Sequence, residues 1–311
     1  MKNILITGAA GYIGSMLCTK LVEEGFNVTA VDILKYEKNS LGHLFYKKNF
    51  TFLKLDITKK KNLQKVISRK NFIIPLAALV GAPLCEKRKK EALKVNVQSI
   101  KLLLSLIKNK QKILYPTTNS GYGIGQKSKF CNENTPLNPI SLYGRTKVQA
   151  EELISKHPNH ICFRLATVFG YSYRMRTDLI VNNFVETAVK KGKLEIFEPN
   201  FRRNFIHIQD IISAFLFSIN NYDKLKNNIY NLGLSSANIS KIMLAKKIQK
   251  QYKKLSIKIV TNRKDPDKRD YFVSNKKIEK KGFKAKISLE DGISELIQIF
   301  TNDKNKVINN Y

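Results

Sequence analysis

The sequence predicts an α/β protein: a doubly wound parallel sheet with a smaller C-terminal lobe. Three observations predict it. An apolar run, Ile4-Leu5-Ile6, leads straight into Gly8, Gly11 and Gly14 and then into a helical pattern with Ile13, Leu17 and Leu21 on one face. Further apolar runs alternate with helical patterns through the first half, which is the order that gives parallel strands with right-handed crossovers. From about residue 166 that alternation breaks up, loops lengthen, and arginines cluster at Arg174, Arg176, Arg202 and Arg203.

The elements follow in chain order. After the glycine turn, Val28-Thr29-Ala30-Val31 is a second buried strand ending in Asp32 and Ile33. Phe50–Leu55 is a third, ending at Asp56-Ile57, and Phe72–Ala78 a fourth, whose small Ala77 and Ala78 would let a ligand approach the backbone. Ile100, Leu103, Leu104 and Ile107 mark a helix, and Ile113–Pro116 a strand that runs into Thr117–Gly123. Ligands of such sheets bind beyond the carboxyl ends of the strands, so these post-strand segments should line one crevice. The expected division is 1–165 for the nucleotide-binding half and 166–311 for the second lobe. A segment near 204–232, with Phe205–Ile208 in it, is expected to return to the sheet.

Strand, glycine turn and helix in that order aim free N–H groups at whatever lies over the glycines, a site suited to a pyrophosphate. Asp32, 18 residues after Gly14, can accept hydrogen bonds from an adenosine ribose and would repel a 2′-phosphate. Together they predict a Rossmann half that binds NAD. Asp56 could meet the adenine amino group.

Composition narrows the class further. The chain has 311 residues, 43% hydrophobic, enough for a substantial core. No run approaches the ~20 apolar residues of a membrane span, and a cytoplasmic protein is expected. Cys18, Cys85, Cys131 and Cys162 are scattered and make neither a disulfide framework nor a zinc pattern, so no metal is expected. His207, inside an apolar run, reads as a structural histidine. The net charge of +32 is spread through surface segments without a nucleic-acid-binding module, so a mild attraction of anionic substrates is expected rather than a nucleic-acid partner.

Tyr143-Gly144-Arg145-Thr146-Lys147 opens a helix on which Tyr143 and Lys147, four apart, share a face. An ammonium beside a phenol is expected to lower the phenol's pKa from about 10 and make it a usable base. Thr118 offers a hydroxyl to the same reacting oxygen.

Taken together, Gly8-x-x-Gly11-x-x-Gly14, Asp32, Asp56-Ile57, Thr118 before Tyr122-Gly123, and Tyr143-x-x-x-Lys147 resemble the extended short-chain dehydrogenase/reductase family. Its members are NAD-dependent epimerases, dehydratases and dehydrogenases of nucleotide sugars. The resemblance implies that Tyr143 takes the proton of a sugar hydroxyl, Thr118 holds its oxygen, and Lys147 also grips the nicotinamide ribose, while hydride leaves the same carbon for NAD. It implies cofactor contacts at Gly8, Gly11, Tyr12, Ile13, Gly14, Asp32, Ile33, Asp56, Ile57, Leu76, Ala77, Ala78, Tyr143, Lys147, Ala166 and Val168. Substrate contacts are implied at Val80, Thr118, Asn119, Thr167, Asn183 and Arg203.

The stretches Pro75–Cys85, Asn119–Gly125, Arg164–Gly170 and Asp265–Tyr271 are similar to the GDP-heptose 4-dehydrogenases of bacterial capsule biosynthesis. That implies a GDP-linked substrate and a homodimer or tetramer. For Arg174, Arg176 and Arg269 a solvated or salt-bridged role stays open. Asn119 and Ser120 follow Thr118 where family dehydratases carry an acid, so loss of water is disfavoured. Oxidation at C4 is expected, with C4 epimerisation through the same three residues as the alternative. A non-catalytic NAD-binding regulator would have no need of the phenol.

Overall fold

The computed structural model describes residues 2–36, 39–125, 129–261 and 269–302. Seven strands form the main sheet: β1 (Asn3–Thr7), β2 (Asn27–Asp32), β3 (Phe50–Lys54), β4 (Phe72–Pro75), β5 (Lys112–Thr118), β6 (His160–Leu165) and β7 (Asn228–Leu232). Their order across the sheet is β7-β6-β5-β4-β1-β2-β3, and every pairing is parallel. The chain winds outward in both directions from β1, so the crevice opens beyond the carboxyl ends of β1 and β4.

Strand periodicity explains the two faces. Ile4 and Ile6 pack into one core with the helices Tyr12–Glu23 and Ile208–Asn220. Leu5, between them, packs into the other with Lys60–Ile67, Ser99–Leu106 and Leu142–Ile154. Burial on both faces is why these strands read as unbroken apolar runs.

After Leu165 the chain leaves the sheet. Thr167–Phe169 pairs in parallel with Arg202–His207, which pairs antiparallel with Asn238–Ser240, giving the second lobe its own three-stranded sheet. Phe205 to His207 therefore lie outside the main sheet, contrary to expectation. Thr167–Phe169 draws the strand Arg202–His207 into the lobe, and β7 is the segment that returns. Helices Ile180–Lys191, Lys241–Gln251 and Leu289–Asn302 pack around this lobe. Among the described residues no helix is long and apolar enough to cross a membrane.

Candidate active site

The crevice is built first from its glycines. Gly8 adopts φ +71°, and a Cβ there would stand 2.5 Å from the Ala77 amide nitrogen. A Cβ on Gly14 would stand 2.3 Å from the Gly8 carbonyl. The turn after β1 is thus pressed against the loop after β4 on one side and the helix Tyr12–Glu23 on the other, leaving a cradle that any side chain would fill. At the end of β2, Asp32 accepts the Ala10 and Leu34 amides at 3.0 and 2.8 Å. Burial raises its carboxyl above the usual range, against those same hydrogen bonds. Asp56 lines the cleft too, with Oδ1 engaged by the Thr58 amide and hydroxyl, both at 2.8 Å. Cradle, exposed helix N-terminus and ribose-height carboxylate fit a dinucleotide.

Thr118 ends β5 and Tyr143 opens the helix Leu142–Ile154, capped by Ser141, whose Oγ accepts the Gly144 amide at 3.2 Å. Both line the cleft, and the Thr118 hydroxyl favours the Tyr143 phenolate. Thr118 Oγ1 donates to Ser120 Oγ at 2.9 Å, and Arg269 donates to that same oxygen from the second lobe. A π-turn at Lys94–Gln98 aims buried Asn96 at the Leu79 amide (2.8 Å), the Leu79 carbonyl (2.9 Å) and Thr146 Oγ1 (3.1 Å), tying the loop after β4 to the helix that carries Tyr143.

The expected electrostatics of the tyrosine–lysine pair need correcting. Lys147 Nζ donates to Tyr115 Oη at 2.7 Å and lies 4.1 Å from that ring's centroid. Burial pushes the Tyr143 phenol up to about 12, opposed by Arg176, Arg269 and the Thr118 hydroxyl rather than by Lys147. Burial also pulls the Lys147 ammonium down to about 7. Tyr115, 32 positions from Lys147 on a strand that reads as pure core, carried no sequence signal of this contact. Behind it Glu151 pairs with Arg164 at 2.7 Å, and Arg164 reaches Tyr122 Oη at 3.0 Å.

Most of the expected site residues meet in this one cleft. Gly8, Gly11, Tyr12, Ile13, Gly14, Asp32, Ile33, Asp56, Ile57, Leu76, Ala77, Ala78 and Val80 line it from the first half, with Thr118, Tyr143 and Lys147. Ala166, Thr167 and Val168 line it where the chain enters the second lobe, joined by Arg174, Arg176, Arg269 and Tyr271. Three are not brought there. Asn119 turns inward, 1% exposed, its amide without a hydrogen-bond partner. Asn183 lines a neighbouring cleft with Phe184, Leu194, Phe197 and Lys241. Arg203 is buried in its strand, donating to the Arg202 carbonyl at 2.9 Å, with its guanidinium 6.0 Å from the Tyr271 ring centroid. Residues 265–268 of the stretch Asp265–Tyr271 lie outside the described residues.

Fold and cleft together define a class: an enzyme that holds a dinucleotide over the carboxyl ends of a parallel sheet and presents a half-buried tyrosine beside it. The chain belongs to the NAD dependent epimerase/dehydratase family, whose model matches residues 4–233, and NAD is therefore its cofactor. It is 28% identical over 228 residues to Protein CapI of Staphylococcus aureus, covering 68% of this chain and 67% of that one. Its fold matches the NAD complex of dTDP-glucose 4,6-dehydratase from Bacillus anthracis with a TM-score of 0.85, 23% identity and 98% of both chains covered. It also matches UDP-glucuronic acid 4-epimerase from Bacillus cereus, in complex with UDP-glucuronic acid and NAD, with a TM-score of 0.84 and 23% identity over 96% of this chain and 98% of that one.

Proposed function

We propose that this enzyme oxidises the C4 hydroxyl of a nucleotide sugar, GDP-heptose or a GDP-mannose-like sugar, to a 4-keto sugar for surface polysaccharide biosynthesis. The observation that carries the reading is that Thr118, Tyr143 and Lys147 line one cleft with the glycine cradle, with Asn119 and Ser120 following Thr118 where an elimination would need an acid.

Thr118 orients the substrate hydroxyl and Tyr143 accepts its proton. Arg176 and Arg269 assist by favouring the phenolate. NAD, when bound, supplies the electron acceptor. Gly8, Gly11 and Gly14 let the backbone approach its pyrophosphate, and Asp32 takes its ribose hydroxyls. Lys147, held by Tyr115, lies beneath the site, where burial leaves it poised to exchange a proton near neutrality. The nucleotide extends toward the cleft around Asn183, whose lining residues Asp178 and Ile180 flank Leu179 of the main cleft in the chain.

Incubating the enzyme with GDP-heptose or GDP-mannose, with and without a keto-acid acceptor, tests this by mass and NMR analysis of products. A product two mass units lighter with a C4 ketone is expected. Unchanged mass with inverted C4 would make the enzyme an epimerase. Loss of 18 mass units as water would overturn the argument from Asn119 and Ser120.

A further inference from the structure

We propose that Arg174, carried by the second lobe, is a cofactor-binding residue whose guanidinium closes over the adenosine half of NAD. The inference rests on the dinucleotide site and not on which sugar is oxidised.

Arg174 lines the same cleft as Gly11, Asp32 and Tyr36. Its guanidinium carbon lies 5.1 Å from the centroid of the Tyr36 ring, four residues beyond Asp32, and its charge favours the ionised Asp32 carboxylate. At 3% exposure it is a buried cation facing the end of β2 where ribose hydroxyls would sit. The carboxylate can only accept hydrogen bonds and the guanidinium can only donate them. Ribose hydroxyls, which do both, and phosphate oxygens, which accept, suit the space between the two.

What holds Arg174 there is a buried latch between the lobes. Ser172 Oγ donates to the Tyr12 carbonyl at 2.7 Å, contacts Ser15 Oγ at 3.1 Å and accepts the Arg174 amide at 3.2 Å. Tyr12 Oη donates to the Gly170 carbonyl at 2.6 Å, and Asn182 Oδ1 accepts the Gly170 amide at 3.1 Å. Tyr12 and Ser15 belong to the helix that begins at the glycine cradle, so the segment bearing Arg174 is fastened to the element that receives the pyrophosphate. A buried polar network with its members satisfied is rigid, and this one sets the arginine's position relative to the cradle.

Calorimetric titration of NAD, ADP and nicotinamide mononucleotide, and separately of GDP and UDP, into full-length enzyme stripped of dinucleotide tests the assignment. For Arg174→Ala, affinity for NAD and ADP should fall about tenfold to a hundredfold, as expected for losing a charge-assisted fork. Affinity for nicotinamide mononucleotide, GDP and UDP should stay within about twofold of wild type, and Arg174→Lys should recover only part of the loss. Unchanged NAD affinity, or a loss confined to GDP and UDP, would overturn it. Ser172→Ala keeps the arginine and cuts the latch, so it serves if Arg174→Ala fails to fold. NAD should then dissociate several-fold faster in stopped flow, and an unchanged rate would count against the latch and the placement it supports.

Discussion

Tyr143 and Lys147 show at the residue scale how far spacing carries. Four residues on a helix put both side chains on one face, and both line the cleft. Spacing does not choose where an ammonium points, and Lys147 points to Tyr115. Tyr143→Phe should lower kcat by about 10²–10⁴ while NAD affinity holds, measured by product formation and by cofactor titration. Lys147 yields a stability prediction with a definite sign. Its pKa falls from an unfolded value near 10.4 to about 7, so the unfolded chain binds more protons between those values and stability rises with pH across that window. The penalty is fully present below pH 7 and gone near 10.4. Lys147→Met should therefore be inactive yet more stable than wild type to urea at pH 7, with the gap closing as pH approaches 10.

At the scale of elements, the glycine turn was legible because its demand is steric and local. Gly8→Ala forces a side chain into a left-handed backbone, costing about 1–2 kcal/mol before the clash with Ala77 is counted. It should lower the melting temperature and abolish NAD binding together. The helix Leu142–Ile154 carries a different liability. Glu151 and Arg164 pair at 2.7 Å with both side chains almost wholly buried. Removing one partner strands the other charge, so Glu151→Ala should destabilise the fold by about 3–5 kcal/mol in urea denaturation, whereas Tyr143→Phe should not. No local pattern predicts this pair, because Arg164 meets the helix only once β6 is in the sheet.

For the whole molecule, the +32 charge acts at a distance on anionic ligands. kcat/KM for the nucleotide sugar should fall several-fold between about 0.05 and 0.5 M salt while kcat changes little, as a salt series of initial rates would show. The second lobe is more than a cover. It brings Arg174, Arg176, Arg269 and Tyr271 into a cleft whose floor belongs to the first half, and it fastens itself to the helix behind the cradle through Ser172 and Gly170.

The sequence by itself determined what depends on near neighbours. Strand burial on two faces, the glycine cradle, the carboxylate after β2 and the shared helical face of Tyr143 and Lys147 all follow from backbone sterics and short periods. Only the tertiary structure decided that Lys147 turns to Tyr115, that Asn119 faces inward, that β7 and not Phe205–His207 rejoins the sheet, and that Arg174 stands over the Tyr36 ring. Each of those depends on contacts between segments far apart in the chain. Such choices are made by packing and by desolvation of buried charge, which exist only once the sheet and both lobes have come together.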